Sequence, residues 1–167
     1  MDLLKSYTVN FIGWSDMLGF EQATIRDFLQ IAELDRNSWQ DNRNFEFIPD
    51  GEHVWRLWVE HGLVYTAKQE VDVVGAIVAF PGKSGIWCLH KVFVAPEHRG
   101  QGVAMQLLGY LLQALDEIGA DCFLTVDPEN DSALNLYEKL GFSEKKYIKG
   151  YYRPYEDRLV LTRRTST

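Results

Sequence analysis

The chain has 167 residues, 46% of them hydrophobic, and a formal net charge of −7 at pH 7. That length suits one domain with a sizeable core. The acidic balance argues against nucleic acid as a partner, because no excess of Lys and Arg exists to meet phosphates. No uninterrupted apolar run approaches the ~20 residues that span a bilayer. Met1-Asp2-Leu3-Leu4-Lys5 lacks the pattern of a secretory leader. Cys88 and Cys122 have no C-x-x-C spacing and read as reduced, buried thiols. The expectation is a cytoplasmic protein that binds no membrane.

Tyr7 to Ile12 reads as a first strand. Thr24 to Trp39 reads as a helix with Ile25, Phe28, Leu29, Ala32 and Trp39 turned inward. Asp41 to Gly51 is polar and closes on Pro49-Asp50-Gly51, so it reads as a loop. His53 to His61 is a short aromatic helix ended by Gly62. Strands follow at Leu63 to Lys68 and Val73 to Phe80, joined by a turn at Gln69 to Asp72. Pro81-Gly82-Lys83-Ser84-Gly85 then turns the chain into a strand from Ile86 to Val94.

The clearest helical signal is Gly102 to Ile118, with Ala104, Leu107, Leu108, Leu111, Leu112, Leu115 and Ile118 on one face and Gly119 as its stop. Ala120 to Val126 is a short apolar strand broken by Asp127-Pro128. Asn130-Asp131-Ser132 offers capping side chains to a helix that runs to Leu140, with Gly141 as a left-handed stop and Phe142 behind it. Strands at Ser143 to Gly150 and Arg158 to Arg164 complete the chain. Strands divided by a few helices give an α/β layered domain with a mixed sheet.

Two stretches carry chemistry. In the first, Val92-Phe93-Val94 runs through Ala95-Pro96-Glu97-His98 into Arg99-Gly100-Gln101-Gly102-Val103-Ala104 and then the long helix. Unpaired N–H groups gather at a helix start, and the helix dipole adds partial positive charge there. Such a place suits phosphate, and Gly100 and Gly102 allow a ligand close to the backbone. A dinucleotide fingerprint beginning at Gly100 would need Gly or Ala at Met105, and no P-loop motif exists. The second stretch is Asn130-x-x-Ala133-x-x-x-Tyr137-Glu138-Lys139-Leu140-Gly141-Phe142. Asn130 offers donors and an acceptor to an amide-rich ligand, or a plain helix cap. Tyr137 is a phenol able to donate a proton, or an amphipathic core residue.

Together these stretches resemble the GNAT superfamily, the acyl-CoA-dependent N-acyltransferases, over roughly Leu63 to Arg164. Arg99-x-x-Gly102-x-Ala104 is similar to the family's pyrophosphate loop, and the second stretch to its closing signature. The resemblance implies a single GNAT-like domain. Its sheet is mixed and mostly antiparallel, with about seven strands flanked by about four helices. An acceptor-side part lies at about 1–62 and an acetyl-CoA-binding part at about 63–164.

The resemblance also implies an enzyme that moves an acetyl group from acetyl-CoA directly to a primary amine. Coenzyme-binding residues are then Val92, Phe93, Val94, Arg99, Gly100, Gln101, Gly102, Val103, Ala104 and Asn130. Backbone N–H groups of Phe93 or Val94 would polarise the thioester oxygen, on a strand that splays from its neighbour. Tyr137 would be the general acid. No metal is implied. Homodimers are frequent in the family, so the resemblance allows one here.

A lysine-like amine, with a pKa near ~10.4, or an α-amine near ~8, is mostly charged at neutral pH and needs a base or a water route. Acetylases of protein N-termini often carry a glutamate in the fifth strand, where this chain has Thr125. The remaining candidates are His90, Asp127 and Glu156. Histidine's ordinary pKa of about 6.5 suits the task, and the alternative for His90 is that it packs or bonds structurally. Cys88 and His90, two apart, point to one strand face.

The acceptor pocket would draw on Trp39, Phe45, Phe47, Trp55, Trp58, Tyr151, Tyr152, Arg153 and Tyr155. Tyr151-Tyr152 resembles the double-tyrosine segment of ribosomal-protein and N-terminal acetylases. A small amine with cation–π contacts would suit the same aromatic half. A non-catalytic acyl-CoA-binding module of the same fold is the alternative to an enzyme.

Overall fold

The computed structural model describes residues 17–40 and 50–165. The strand expected at Tyr7 to Ile12, with Phe45 and Phe47, lies outside the described residues. The first described strand is instead β1 (Gly19–Gln22). It is followed by α1 (Phe28–Trp39), α2 (Glu52–His61), β2 (Leu63–Gln69), β3 (Asp72–Pro81) and β4 (Trp87–Val94). A 3₁₀ turn at Pro96–His98 leads into α3 (Val103–Glu117), β5 (Cys122–Val126), α4 (Asp131–Lys139), β6 (Glu144–Arg153) and β7 (Glu156–Arg163). The seven strands form one sheet in the order β1-β2-β3-β4-β5-β7-β6. Among the described strands only β4 and β5 pair in parallel, as the mixed, mostly antiparallel expectation requires.

Helices cover both faces. Strand β3 reads Val-Val-Gly-Ala-Ile-Val-Ala and is buried throughout that run, as a strand covered on both sides must be. Ile77 and Ala79 face the core built on α3, while Ala76 and Val78 face the core built on α1 and α2. On α3, Leu107, Leu108, Leu111 and Leu115 are fully buried. Each contributes about 1.5–3 kcal/mol by leaving water. Ile118 does not join them. The helix closes at Glu117, so Ile118 caps it and is 58% exposed.

Helix α1 also departs from its expected inward face. Asp27 ties the preceding turn by accepting from the Thr24 N–H at 2.7 Å and the Thr24 hydroxyl at 3.0 Å. Lys68 Nζ reaches the same carboxylate at 2.7 Å. The helix therefore begins at Phe28 rather than Thr24, Ile31, Ala32 and Asp35 take the buried face, and Ile25 and Leu29 are exposed. The glycine stops behave as read: Gly119 and Gly141 have φ of +65° and +88°, and the Phe142 N–H donates to the Tyr137 carbonyl at 3.1 Å. Among the described residues, no helix is long and apolar enough to cross a membrane.

Candidate active site

Strands β4 and β5 share only two residue pairs, Trp87 with Cys122 and Cys88 with Phe123. Beyond Cys88 they separate, and β4 keeps a ladder only with β3, from Leu89 to Val94. Among the described residues, one edge of β4 therefore runs without a strand partner toward the glycine loop. The loop starts after Ala95, whose N–H donates to the Val74 carbonyl at 2.8 Å. Gly100 and Gly102 hold φ of +74° and +80°, a region open to glycine at little cost.

No side chain caps α3, and its first intrahelical bond runs from the Gln106 N–H to the Gly102 carbonyl at 3.1 Å. The N–H groups of Val103, Ala104 and Met105 thus have no acceptor within the helix.

Edge and loop line one cavity of about 490 Å³, bounded by Val92, Phe93, Val94, Arg99, Gly100, Gly102, Val103 and Ala104. A Cβ at Gly100 or Gly102 would meet no heavy atom within 4 Å, so the loop leaves room for a ligand against its backbone. Eight of the twelve residues expected at the site meet here. Four do not line this cavity. The Gln101 amide folds back to donate to the Glu97 carbonyl at 3.0 Å. Asn130 caps α4, its Oδ1 accepting from the Ala133 N–H at 3.1 Å. Tyr137 is half-buried on α4, its ring edge-on to Phe142 at 5.6 Å. Burial pushes the Tyr137 phenol above its usual pKa, which keeps it protonated at neutral pH. His90 lies on the opposite face of the sheet from the α3 core, against Trp58.

The cavity also has walls that sequence reading did not assign, Asp35, Ser38 and Lys91. Asp35 is 2% exposed on α1. Its carboxylate accepts from Trp55 Nε1 at 3.1 Å and from Lys91 Nζ at 2.8 and 2.9 Å. Its signal in the sequence was a carboxylate four residues after Ile31, on the apolar face of a helix, where an acid is buried only with a partner. Lys91 also reaches Asp50 at 2.7 Å and stands 5.2 Å from the Trp39 ring centroid.

The two adjacent side chains His90 and Lys91 meet the same carboxylate because β4 bulges. Val78 pairs with Lys91 but Ala79 pairs with Leu89, leaving His90 as the extra residue. His90 Nε2 lies 3.0 Å from Asp50 Oδ2. Burial alone would raise the Asp50 pKa, but the hydrogen bonds from His90 and Lys91 outweigh it and hold the carboxyl at about 2.

The other base candidates are engaged. Glu156 is buried between Arg153 and Arg158, with short contacts to both. Asp127 accepts from the Glu129 N–H at 3.0 Å. Thr125 shares a hydrogen bond of 2.9 Å with the Tyr152 hydroxyl. The Tyr152 ring is edge-on to Tyr151 at 4.7 Å and lies 5.2 Å from the Arg158 guanidinium. Cys88 is half-buried and Cys122 buried; both are free, and burial pushes their thiols up to about 11 and about 12.

Known proteins resemble this chain. An uncharacterised N-acetyltransferase of Methanocaldococcus jannaschii is 35% identical over 169 residues, covering 91% of this chain and 67% of the relative. An N-alpha-acetyltransferase of Saccharolobus solfataricus is 32% identical over 155 residues, covering 84% and 89% of the two chains. The ribosomal-protein-S18-alanine N-acetyltransferase of Escherichia coli has the same fold, with a TM-score of 0.75 at 21% identity over 90% of this chain and 96% of that one. A model of the acetyltransferase (GNAT) family matches residues 27–142, the span from the turn before α1 to the end of the Gly141–Phe142 exit. With the parted strands and the open glycine loop inside that span, the chain belongs to the GNAT family of N-acetyltransferases.

Proposed function

We propose that this enzyme acetylates the amino terminus of a protein or peptide, drawing the acetyl group from acetyl-CoA. The observation that carries the reading is the unpartnered edge of β4 leading into an uncapped helix start through Gly100 and Gly102. Such a helix start suits the coenzyme's diphosphate, and the backbone edge suits its amide-bearing arm. When bound, acetyl-CoA supplies the acetyl group as an activated thioester. Val92 to Val94, the Arg99 to Ala104 loop and Asn130 are the residues for holding it. The Arg99 side chain steadies the loop from within, its Nε donating to the Val94 carbonyl at 3.0 Å.

Tyr137 is the general acid of this reading. Its phenol stays protonated at neutral pH and so can supply a proton to a departing sulfur. The peptide acceptor is supported by the N-alpha-acetyltransferase relative from Saccharolobus. The exposed Tyr151–Tyr152 pair at the β6–β7 end supports it too, its rings placed to flank an extended chain.

A panel of N-terminal peptides, amino acids, polyamines and aminoglycosides, read by free-thiol appearance, tests the proposal. Steady release with peptides bearing a free α-amine, and none with their N-blocked forms, is the expected result. Faster turnover with polyamines would move the acceptor to small amines. Coenzyme binding with no turnover on any amine would leave a binding module.

A further inference from the structure

The β4 bulge sets His90 and Lys91 side by side on the face that carries α1 and α2, and both reach Asp50. A regular strand would have sent one of them to the other face. His90 sits where β4 and β5 part, two residues past their last shared pair. Its ring is held between Trp58 and Phe80, at 5.0 and 5.7 Å between centroids. The His90 and Asp50 side chains are 30% and 29% exposed, so a substrate can approach the dyad.

From this juxtaposition we propose that His90 is the general base for the acceptor amine and that Asp50 is its positioning residue. The inference rests on the N-acetyltransferase reading above and assigns the base that the reading lacks. With Nε2–H donating to Asp50, Nδ1 carries the lone pair. The carboxylate fixes that tautomer and the orientation of the ring.

The groups facing His90 are Asp50 from the segment before α2, with Lys91 and Cys88 from its own strand. Helix α2 and β3 present the rings of Trp58 and Phe80. Behind Asp50, Lys91 is shared with Asp35 of α1, which keeps the ammonium anchored while Asp50 serves the imidazole.

The step balances. His90 takes one proton from the acceptor ammonium, and the freed lone pair forms the N–C bond to the thioester carbon. The C–S bond then breaks, and the sulfur leaves as a thiol with the Tyr137 proton. The tyrosinate recovers a proton from the new amide nitrogen through water, and His90 returns its own to solvent.

The test is the pH profile of kcat/KM for the full chain, its Asp50→Asn, Asp50→Glu and His90→Gln variants, with acetyl-CoA affinity measured beside it. His90→Gln is expected to lower kcat by about 10²-fold or more and to abolish the acid limb. Asp50→Asn is expected to lower kcat/KM about tenfold, through kcat with the acceptor KM little changed, because the amide no longer fixes the ring's tautomer. Asp50→Glu should restore most of the rate, and acetyl-CoA affinity should hold in all of them. Should His90→Gln fail to fold by circular dichroism, the near-isosteric Asp50→Asn still decides. A wild-type enzyme that turns over while Asp50→Asn keeps its full kcat overturns the dyad alone. A wild-type chain that releases no thiol with any amine overturns the reading beneath it as well.

Discussion

Gly102 and Gly119 stand at opposite ends of α3 and make a matched pair. Their φ angles are +80° and +65°, and a Cβ at either would meet no heavy atom within 4 Å. Neither Gly102→Ala nor Gly119→Ala therefore creates a clash inside the protein. Each forces an L-residue into the left-handed region, at a cost of roughly 1–2 kcal/mol. In a domain of this size that lowers Tm by a few degrees, at about 2–4 °C per kcal/mol. Urea denaturation should rank the two variants together. Calorimetry with coenzyme A should separate them: Gly119→Ala binds as the parent does, while Gly102→Ala loses at least tenfold, about 1.4 kcal/mol. Gly102→Val should lose more, since the branched side chain fills the open space against the loop. Equal coenzyme affinity in the two alanine variants, both folded, would refute the placement of the diphosphate at the start of α3.

Tyr137→Phe should keep acetyl-CoA affinity and lower the transfer rate by about 10²-fold. Burial raises the phenol above its usual value, so that deficit should be constant between about pH 6 and pH 9; unchanged turnover would remove Tyr137 from the acid role. Asp50, held at about 2 instead of its ordinary 3.8, stabilises the fold fully above the ordinary value and loses that contribution as pH falls through about 2. Allowing for solvent screening, this is on the order of 1–2 kcal/mol. Asp50→Asn should accordingly flatten the fall in urea midpoint between about pH 5 and pH 2, and identical acid sensitivity would contradict the paired geometry. Leu111→Ala, at a fully buried site, should cost about 3–5 kcal/mol in chemical denaturation, and a cost under 1 kcal/mol would show that α3 is not the centre of its core.

The long helix and the loop before it were legible because local rules govern them. A leucine stripe fixes the buried face of α3, and glycine takes at least cost the φ that the loop needs at 100 and 102. Strand β3 was equally plain, being an apolar run between turn residues. The acceptor half was not. Period-two alternation placed Cys88 and His90 on one face, and they do share it. But alternation has no place for an inserted residue, so the arrival of Lys91 beside His90 could not be read. Nor could the bond from Asp50, which lies 40 residues away in sequence. Ile25 and Leu29 misled for a related reason: the carboxylate of Asp27 ends the turn before the helix starts, and the apolar count began too early. Asn130 was read both as a cap and as a ligand-binding amide, and its oxygen is engaged in the first of these.

The two rungs between β4 and β5 are a thin weld across the middle of the sheet. On one side lie β1 to β4 with α1 and α2, and on the other β5, β7 and β6. Anything seated in the gap mends that seam as well as filling a hole. Occupancy should therefore slow amide exchange on both banks together, at Leu89 to Val94 and at Leu124 to Val126, far more than at the outer β6–β7 edge.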